Sequence, residues 1–112
     1  MHYLLFYEKA ADHAEREPAH ATDHRAHLHH AIDRGELLIG GPVDNPLDGT
    51  NVLLFAADSP VIAEEFAKAD PYVQQRIVTR WHVRRWETVV GPLAACPLPG
   101  FESTSRAAAC AD

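Results

Sequence analysis

The sequence predicts an α+β fold with the element order βαββαβ, in which two helices cover one face of a four-stranded antiparallel sheet. Three observations lead to this prediction. Four short segments are rich in aliphatic and aromatic residues, two segments between them have helical periodicity, and glycine and proline clusters separate them. This order is the ferredoxin-like arrangement. A chain of 112 residues is expected to form one domain that can bury a core without staples.

The first half of the chain supplies two strands and a helix. Residues 2–8 indicate a strand, because they are aliphatic and aromatic and contain no turn former. Residues 9–18 are charged and end in proline, which favours a loop or a loose helical turn. Residues 19–34 are predicted to be helical, with Gly35 as the C-cap, and residues 36–40 form a second strand. The inward stripe of this helix is predicted to consist of Ala21, the stem of Arg25, Leu28 and Ile32.

The middle of the chain supplies a loop, a strand and the second helix. Residues 40–50 are dense in glycine, proline, asparagine and aspartate, and therefore predict a loop. Residues 51–57 follow as a third strand. Ser59 is expected to be an N-cap before a helix that runs to about residue 69. The inward residues of this helix are predicted to be Val61, Ile62, Phe66 and Ala69.

The C-terminal part of the chain contains the last strand and a change of composition. Residues 71–78 are expected to form a short turn or helical segment, and residues 79–90 a long strand. Beyond residue 91 the chain becomes rich in proline, alanine and serine. We therefore expect a domain over residues 1–91 and a tail over residues 92–112 that is poorly ordered or draped on a partner.

Charge and cysteine content exclude several classes of partner. Ten basic against sixteen acidic residues give a net charge of −6, and nucleic-acid binding needs a basic face, so no nucleic-acid partner is expected. The apolar N-terminal stretch is too short for a signal peptide or a membrane span, so we expect a cytoplasmic protein without membrane contact. A disulfide between Cys96 and Cys110 would staple the tail rather than the core.

The strands are apolar on both faces, which predicts a homodimer. A sheet with one solvated face should alternate between apolar and polar residues, and the helices can cover only one face. We therefore expect the second face to pack against the sheet of another copy of the chain. In the first strand, Leu4 and Phe6 face one side and Tyr3, Leu5 and Tyr7 the other; in the third strand, Val52 and Leu54 oppose Leu53 and Phe55.

Five of the eight histidines lie on the first predicted helix. His24 lies nearest the predicted apolar stripe, where an imidazole can be partly desolvated and act as a general acid or base. It could equally be a boundary residue with a satisfied hydrogen bond. His20, His24 and His27 stand at i, i+4 and i+7, a spacing that can ligate a metal, but one helix rarely supplies a complete site. No HExxH motif is present and no metal is expected; His29 and His30 suit a solvated face.

Four motifs in order resemble the YCII-related (YciI-like) domain family. They are His24, eleven residues before the capping glycine, then LLIGGP at residues 37–42, FAKADPYV at residues 66–73 and VRRW at residues 83–86. The resemblance extends over roughly the first ninety residues. It implies a dimeric α+β barrel, which agrees with the homodimer expected from the strand faces.

The resemblance also implies a site. His24 and Asp70 would line one pocket as an acid/base pair, because a carboxylate fixes the tautomer of an imidazole and stabilises its protonated form. Asp70 alone would also suit a simple helix-end position before proline. Tyr72 is the expected pocket wall. Arg76 and Arg85 stand where the family usually has glycine and proline, and they would make the pocket cationic and favour an anionic or phenolic ligand.

Two functions of different kinds remain open. The first is a small cofactor-independent enzyme, lyase- or hydrolase-like, that uses His24 and Asp70 for proton transfer. No GxGxxG, P-loop or nucleophile-elbow motif is present, so no cofactor is expected. The second is a non-catalytic module that binds a small ligand or another protein through the same fold.

Overall fold

The structure is a computed structural model that describes residues 1–101, and it has the predicted α+β fold. The strands are β1 (His2–Lys9), β2 (Leu37–Pro42), β3 (Thr50–Ala56) and β4 (Val78–Trp86). The helices are α1 (His13–Arg16), α2 (Ala21–Asp33), α3 (Val61–Ala69) and α4 (Pro71–Gln74), with single 3-10 turns at Glu17–Ala19 and Pro46–Asp48. Within residues 1–101, none of these helices is long and apolar enough to cross a bilayer.

The sheet has the strand order β2-β3-β1-β4, and each neighbouring pair is antiparallel. This order confirms the ferredoxin-like arrangement, with the two longer helices on one face. Leu5 is opposite Leu53 on β3 and Val83 on β4, so the core is centred on β1. The buried core consists of Tyr3, Leu5, Tyr7, Ala31, Leu37, Leu53, Phe55, Ala63, Phe66, Ala67, Tyr72, Ile77 and Val78.

The second face of the sheet carries the other set of strand residues, as the alternation predicts. Leu4, Phe6, Val52 and Leu54 are partly exposed on this face. The ring of Phe6 stacks on His82 of β4 with centroids 4.8 Å apart. His2, on the same side of β1, is buried, and its Nδ1 lies 2.7 Å from Thr88 Oγ1 in the segment that follows β4.

The inward face of α2 differs from the predicted stripe. Arg25 is exposed and Ile32 is 48% exposed, whereas Ala31 is fully buried. The helix is therefore rotated so that His24 and His27, both half-buried, face the interior. The prediction was correct for Leu28, which packs against the core, and for the partial burial of His24, but wrong for Arg25 and Ile32.

His27 shows why an imidazole suits this interior position. Its ring stacks on Phe66 of α3 with centroids 4.3 Å apart. Its Nε2 lies 2.8 Å from the carbonyl oxygen of Phe66, to which it donates a hydrogen bond. A ring with an apolar face and a satisfied donor is as well accommodated as an aliphatic side chain.

The predicted inward face of α3 is only partly correct. Phe66 is buried as predicted, but Val61 and Ala69 are exposed. The buried small residues are Ala63 and Ala67, which let the helix pack closely on the sheet. Asp70, at the end of the helix, follows Ala63 and Ala67 at helical spacing and therefore also faces the interior.

Two strand boundaries differ from the prediction by more than one residue. β2 continues through Gly40 and Gly41 to Pro42, where a loop was predicted. Gly40 permits this because a Cβ at that position would lie 3.1 Å from the Leu53 side chain, so glycine lets the two strands approach. β4 ends at Trp86 rather than at residue 90.

Residues 92–101 turn back against the segment that follows β4. The backbone N–H groups of Cys96 and Leu98 donate to the carbonyl oxygens of Thr88 and Val89, at 2.9 and 2.8 Å. Ala94 is buried in this turn. The rest of the predicted tail, with its second cysteine, lies outside the described residues, and the domain boundary near residue 91 stays a prediction.

Candidate active site

Asp70 is placed in the interior by the break between α3 and α4. The residue before a proline is pushed out of the helical region, and Asp70 accordingly has extended backbone angles of φ −72° and ψ 124°. Its side chain caps α4, because Oδ1 accepts the backbone N–H of Tyr72 at 2.9 Å. The residue is 0% exposed. A buried carboxylate requires such donors, since an unpaired charge in the interior is strongly unfavourable.

The structure brings His24 and Asp70 together. Nδ1 of His24 lies 2.8 Å from Oδ1 of Asp70, although the two residues are 46 positions apart. An ionised carboxylate can only accept hydrogen bonds, so Nδ1 of His24 is the donor in this contact. Among residues 1–101, Nε2 has no hydrogen-bond partner, and the side chain is 16% exposed.

Tyr7 holds the other oxygen of the same carboxylate. Its hydroxyl donates to Oδ2 of Asp70 at 2.7 Å, across the interior from β1. Burial, followed by the charge of Asp70 and this hydrogen bond, raises the pKa of the Tyr7 phenol far above its ordinary value. The phenol therefore remains a donor, and the carboxylate is fixed in position from both sides.

Tyr72 fixes the plane of the imidazole. Its ring is stacked on His24 with centroids 3.8 Å apart and an angle of 8° between the planes. Burial raises the pKa of Tyr72, and the charges of Glu17 and Asp70 add to this, against an opposing effect of Arg25. A neutral, buried ring therefore covers one face of the imidazole.

His24 also lines a cavity of about 230 Å³ between α2 and the β2 side of the sheet. Its polar lining consists of Tyr7, Lys9, His24 and Asn51. Its apolar lining is formed by Leu28, Ile32, Leu37, Leu38, Ile39, Gly40, Gly41 and Leu53. Asn51 Nδ2 is the one buried side-chain nitrogen or oxygen of residues 1–101 without a hydrogen-bond partner. The cavity thus combines an apolar wall with a polar end at the imidazole.

Lys9 contributes the cation at this polar end, and sequence reasoning missed it. The predicted strand stopped at residue 8, but β1 continues for one residue and directs Lys9 to the same face as Tyr7. Period-two alternation from Leu5 and Tyr7 was the signal that could have found it. Its ammonium lies 5.5 Å from the centroid of the Tyr72 ring.

The carboxylate of Glu17 contacts both Lys9 and the buried side chain of His13. Its Oε2 accepts from Lys9 Nζ at 2.8 Å and from His13 Nδ1 at 2.7 Å. The pKa of Glu17 is raised by partial burial, but hydrogen bonds from Lys9 and His13 and their charges outweigh this and hold it below its usual range. The other ring nitrogen of His13 faces the carbonyl oxygen of Leu47 at 3.2 Å.

The structure does not bring Arg76 or Arg85 to this cavity. Arg76 is exposed after α4 with a left-handed φ of 61°, and its carbonyl oxygen accepts from Arg16 at 3.3 Å. Arg85 is exposed, pairs with Glu87 at 3.5 Å, and lies opposite Tyr3 on β1. Tyr3 is four residues from Tyr7, or about 13 Å along a strand. The cationic group of the cavity is therefore Lys9, not the two predicted arginines.

A histidine-based metal site has no support in the geometry of the described residues. No group of three or more His, Cys, Asp or Glu side chains in residues 1–101 is arranged to hold a metal ion. The predicted alternative with His20, His24 and His27 is not formed, because the last two turn to separate partners on Asp70 and Phe66.

Comparison with known proteins gives a family and a structural neighbour. The sequence profile of the YCII-related domain family matches residues 1–87. The fold is similar to that of a 5-chloro-2-hydroxyhydroquinone dehydrochlorinase from Burkholderia phenoliruptrix AC1100, solved in complex with 2,5-dihydroxybenzoquinone. The TM-score is 0.66 at 19% identity, over 79% of this chain and 95% of that chain. No curated protein sequence matches the chain. At this identity the structural likeness establishes the shared fold alone.

Proposed function

The chain belongs to the YCII-related domain family, and from that premise we propose that it is a small-molecule enzyme with lyase- or hydrolase-like chemistry. His24 and Asp70 are its acid/base pair. One observation carries the proposal: Nδ1 of His24 is held by a fully buried carboxylate while the imidazole borders a largely apolar cavity. Titratable pairs placed in this way at a cavity are typical of functional sites.

The pair is arranged for proton transfer. Nε2 of His24 accepts a proton from a ligand C–H or O–H group, and the negative charge of Asp70 stabilises the imidazolium that results. In an elimination, the electron pair left behind forms a double bond, and a leaving group departs from the adjacent atom with its own bonding pair. Tyr7 and the Tyr72 backbone N–H keep the carboxylate oriented during this change.

Two observations support a small ring as substrate. A dry protein cavity of about 150 Å³ can hold benzene, so the larger cavity here has room for one substituted ring. The structural neighbour carries dehydrochlorinase in its name and has a dihydroxybenzoquinone bound. An apolar wall with a polar end suits a ring that bears oxygen substituents on one side.

We further propose that the active form is a homodimer. The second face of the sheet carries a row of partly exposed apolar side chains on its central strands, including Leu4, Phe6 and Leu54. Exposed apolar faces of this kind commonly form subunit interfaces, and a twofold contact would bury the same patch on both copies.

The test is turnover by matched histidine variants. The purified protein is incubated with a panel of halogenated and hydroxylated hydroquinones, including 5-chloro-2-hydroxyhydroquinone, and halide release and ring absorbance are followed. Loss of a positioned acid or base lowers rates by about 10²- to 10⁴-fold, so His24→Ala should lose that much. His30→Ala, an exposed position on the same helix, should retain full activity.

Two outcomes would overturn the enzymatic assignment. Turnover that survives in folded His24→Ala protein would remove the imidazole from the mechanism. Absence of turnover on the whole panel, together with thermal stabilisation by the same compounds that depends on His24, would identify a non-catalytic binding module instead.

A further inference from the structure

We propose that Lys9 binds an ionised hydroxyl oxygen of the ligand, so that the cavity selects small ring compounds carrying an acidic hydroxyl. The inference rests on the proposed function and names its substrate class. It assigns to Lys9 a role in binding that is separate from the proton transfer of His24.

The position of Lys9 is fixed by its backbone neighbours. Its N–H donates to the carbonyl oxygen of Gly49 at 2.9 Å, where β1 meets the turn before β3. A Cβ at Gly49, whose φ is +86°, would lie 3.2 Å from the Lys9 Cβ. Glycine at this position therefore allows the lysine stem to run along the strand end and into the cavity.

The ammonium of Lys9 has unused hydrogen-bonding capacity. Its side chain is only 13% exposed, and a lysine ammonium has three donors. Within the described chain, the single side-chain acceptor it contacts is Glu17 Oε2, at 2.8 Å. A nearly buried cation with unassigned donors at a cavity wall is stabilised by a second acceptor, most effectively an anionic one.

The carboxylate beside Lys9 also contacts His13. Both ring nitrogens of His13 face oxygen acceptors, Glu17 Oε2 and the Leu47 carbonyl. Glu17 Oε2 is therefore shared between Lys9 Nζ and His13 Nδ1, so Lys9 is not the sole partner of this carboxylate.

The Lys9 ammonium complements the proposed proton transfer. When a ligand hydroxyl gives its proton to Nε2 of His24, the O–H bonding pair stays on the oxygen, which becomes an anion. The proton makes His24 and Asp70 a neutral pair overall, and the Lys9 ammonium then faces the new anion. Lys9 and His24 are both close to one ring, that of Tyr72, so one small ligand can contact both.

The experiment compares two lysine variants with two ligands. Affinities are measured by isothermal titration calorimetry for 2,5-dihydroxybenzoquinone and for 2,5-dimethoxybenzoquinone, which has no ionisable hydroxyl. Lys9→Met should weaken binding of the dihydroxy compound by about 10- to 100-fold, the effect of one charge-assisted hydrogen bond, and change the dimethoxy compound by less than about threefold. Lys68→Met, at an exposed lysine of α3, should change neither.

Glu17→Gln should change the affinity in the opposite direction to Lys9→Met. It keeps the ammonium but removes the competing carboxylate, so binding of the dihydroxy compound should become tighter. The absorption spectrum of the dihydroxy compound bound to this variant should be that of its anion. Lys9→Arg, which keeps the charge, should restore most of the affinity that Lys9→Met loses. These two variants decide the matter if Lys9→Met does not fold, as judged by circular dichroism.

Several results would overturn the inference. They are an affinity of folded Lys9→Met for the dihydroxy compound within threefold of wild type, equal weakening for both ligands, or unchanged or weaker binding by Glu17→Gln. In each case the His24→Ala turnover result is independent, so the acid/base proposal can stand while the role of Lys9 falls.

Discussion

Asp70 lies 2.8 Å from the Nδ1 atom of His24, and the same Oδ1 atom also accepts the backbone N–H of Tyr72. One carboxylate oxygen therefore serves both as a helix cap and as the partner of the imidazole. The predicted simple role of Asp70 at a helix end and its predicted role beside His24 are compatible in the geometry. Substitutions at this position should separate the two.

Asparagine and alanine at position 70 should have different effects on stability. Asp70→Asn keeps an oxygen that can cap α4, so it should lower the free energy of unfolding by about 1 kcal/mol. Asp70→Ala leaves the donors of Tyr7, His24 and Tyr72 buried without an acceptor and should cost about 3 kcal/mol or more. Urea denaturation measures both. Equal losses for the two variants would show that the cap and the imidazole contact contribute little.

The phenol of Tyr7 should give an alkaline signature. Its pKa in the folded state is raised, so its contribution to stability is complete below the ordinary phenol pKa of about 10 and is lost as pH rises above that value. At pH 8, Tyr7→Phe should be less stable than wild type by about 1–3 kcal/mol because it leaves an Asp70 oxygen without this donor. The difference in free energy of unfolding between wild type and Tyr7→Phe, measured by urea titration, should narrow between pH 10 and 11. The control is Tyr3→Phe, because the hydroxyl of Tyr3 contacts only the Met1 sulfur among the hydrogen bonds described. A stability difference between wild type and Tyr7→Phe that stays constant with pH would contradict the prediction.

Glu17 should give the corresponding acid signature. Its pKa in the folded state is lowered, so its contribution is present above the ordinary carboxyl pKa of about 4.3 and is lost as pH falls through the lower folded value. Wild type should exceed Glu17→Gln in stability at pH 6, and the difference should shrink as pH falls from about 5 toward 3. Glu15→Gln, exposed on α1, should show no such convergence. Parallel curves for wild type and Glu17→Gln would mean that the ion pairs with Lys9 and His13 do not stabilise the fold.

The proposed homodimer can be tested on the second face of the sheet. Leu54→Asp places a charge among the apolar residues of that face and should shift the protein to monomers, while Val61→Asp, at an exposed site on α3, should not. Sedimentation velocity at about 50 µM measures the change. A wild-type protein that sediments as a monomer at that concentration would remove the dimer from the proposal.

The sheet could be predicted from sequence because its signal is local. Strand alternation in residues 2–8 and 51–57 separates the buried set, such as Leu5 and Phe55, from the opposite set. This pattern depends on side-chain hydrophobicity alone. The glycine–proline clusters then mark the connections. One exception is β2, where Gly40 continues a strand because its neighbour Leu53 needs the space, a cause that the local pattern cannot reveal.

The site was less predictable because its partners are distant in sequence. The predicted inward stripe of α2 was only partly correct, since the stacking of His24 on Tyr72 and of His27 on Phe66 depends on residues more than thirty positions away. The charged residue of the cavity was also misplaced. Arg85 was favoured by its position in a family motif, but the cavity lies at the Lys9 end of the sheet.

The shared role of the Asp70 oxygen has a consequence for comparing this chain with its relatives. A relative that had lost its chemistry would still need an acceptor at this position to begin the short helix after the proline. An aspartate or asparagine there is thus weak evidence of activity. The residue aligned with His24 is the more informative marker, because no backbone group depends on its side chain.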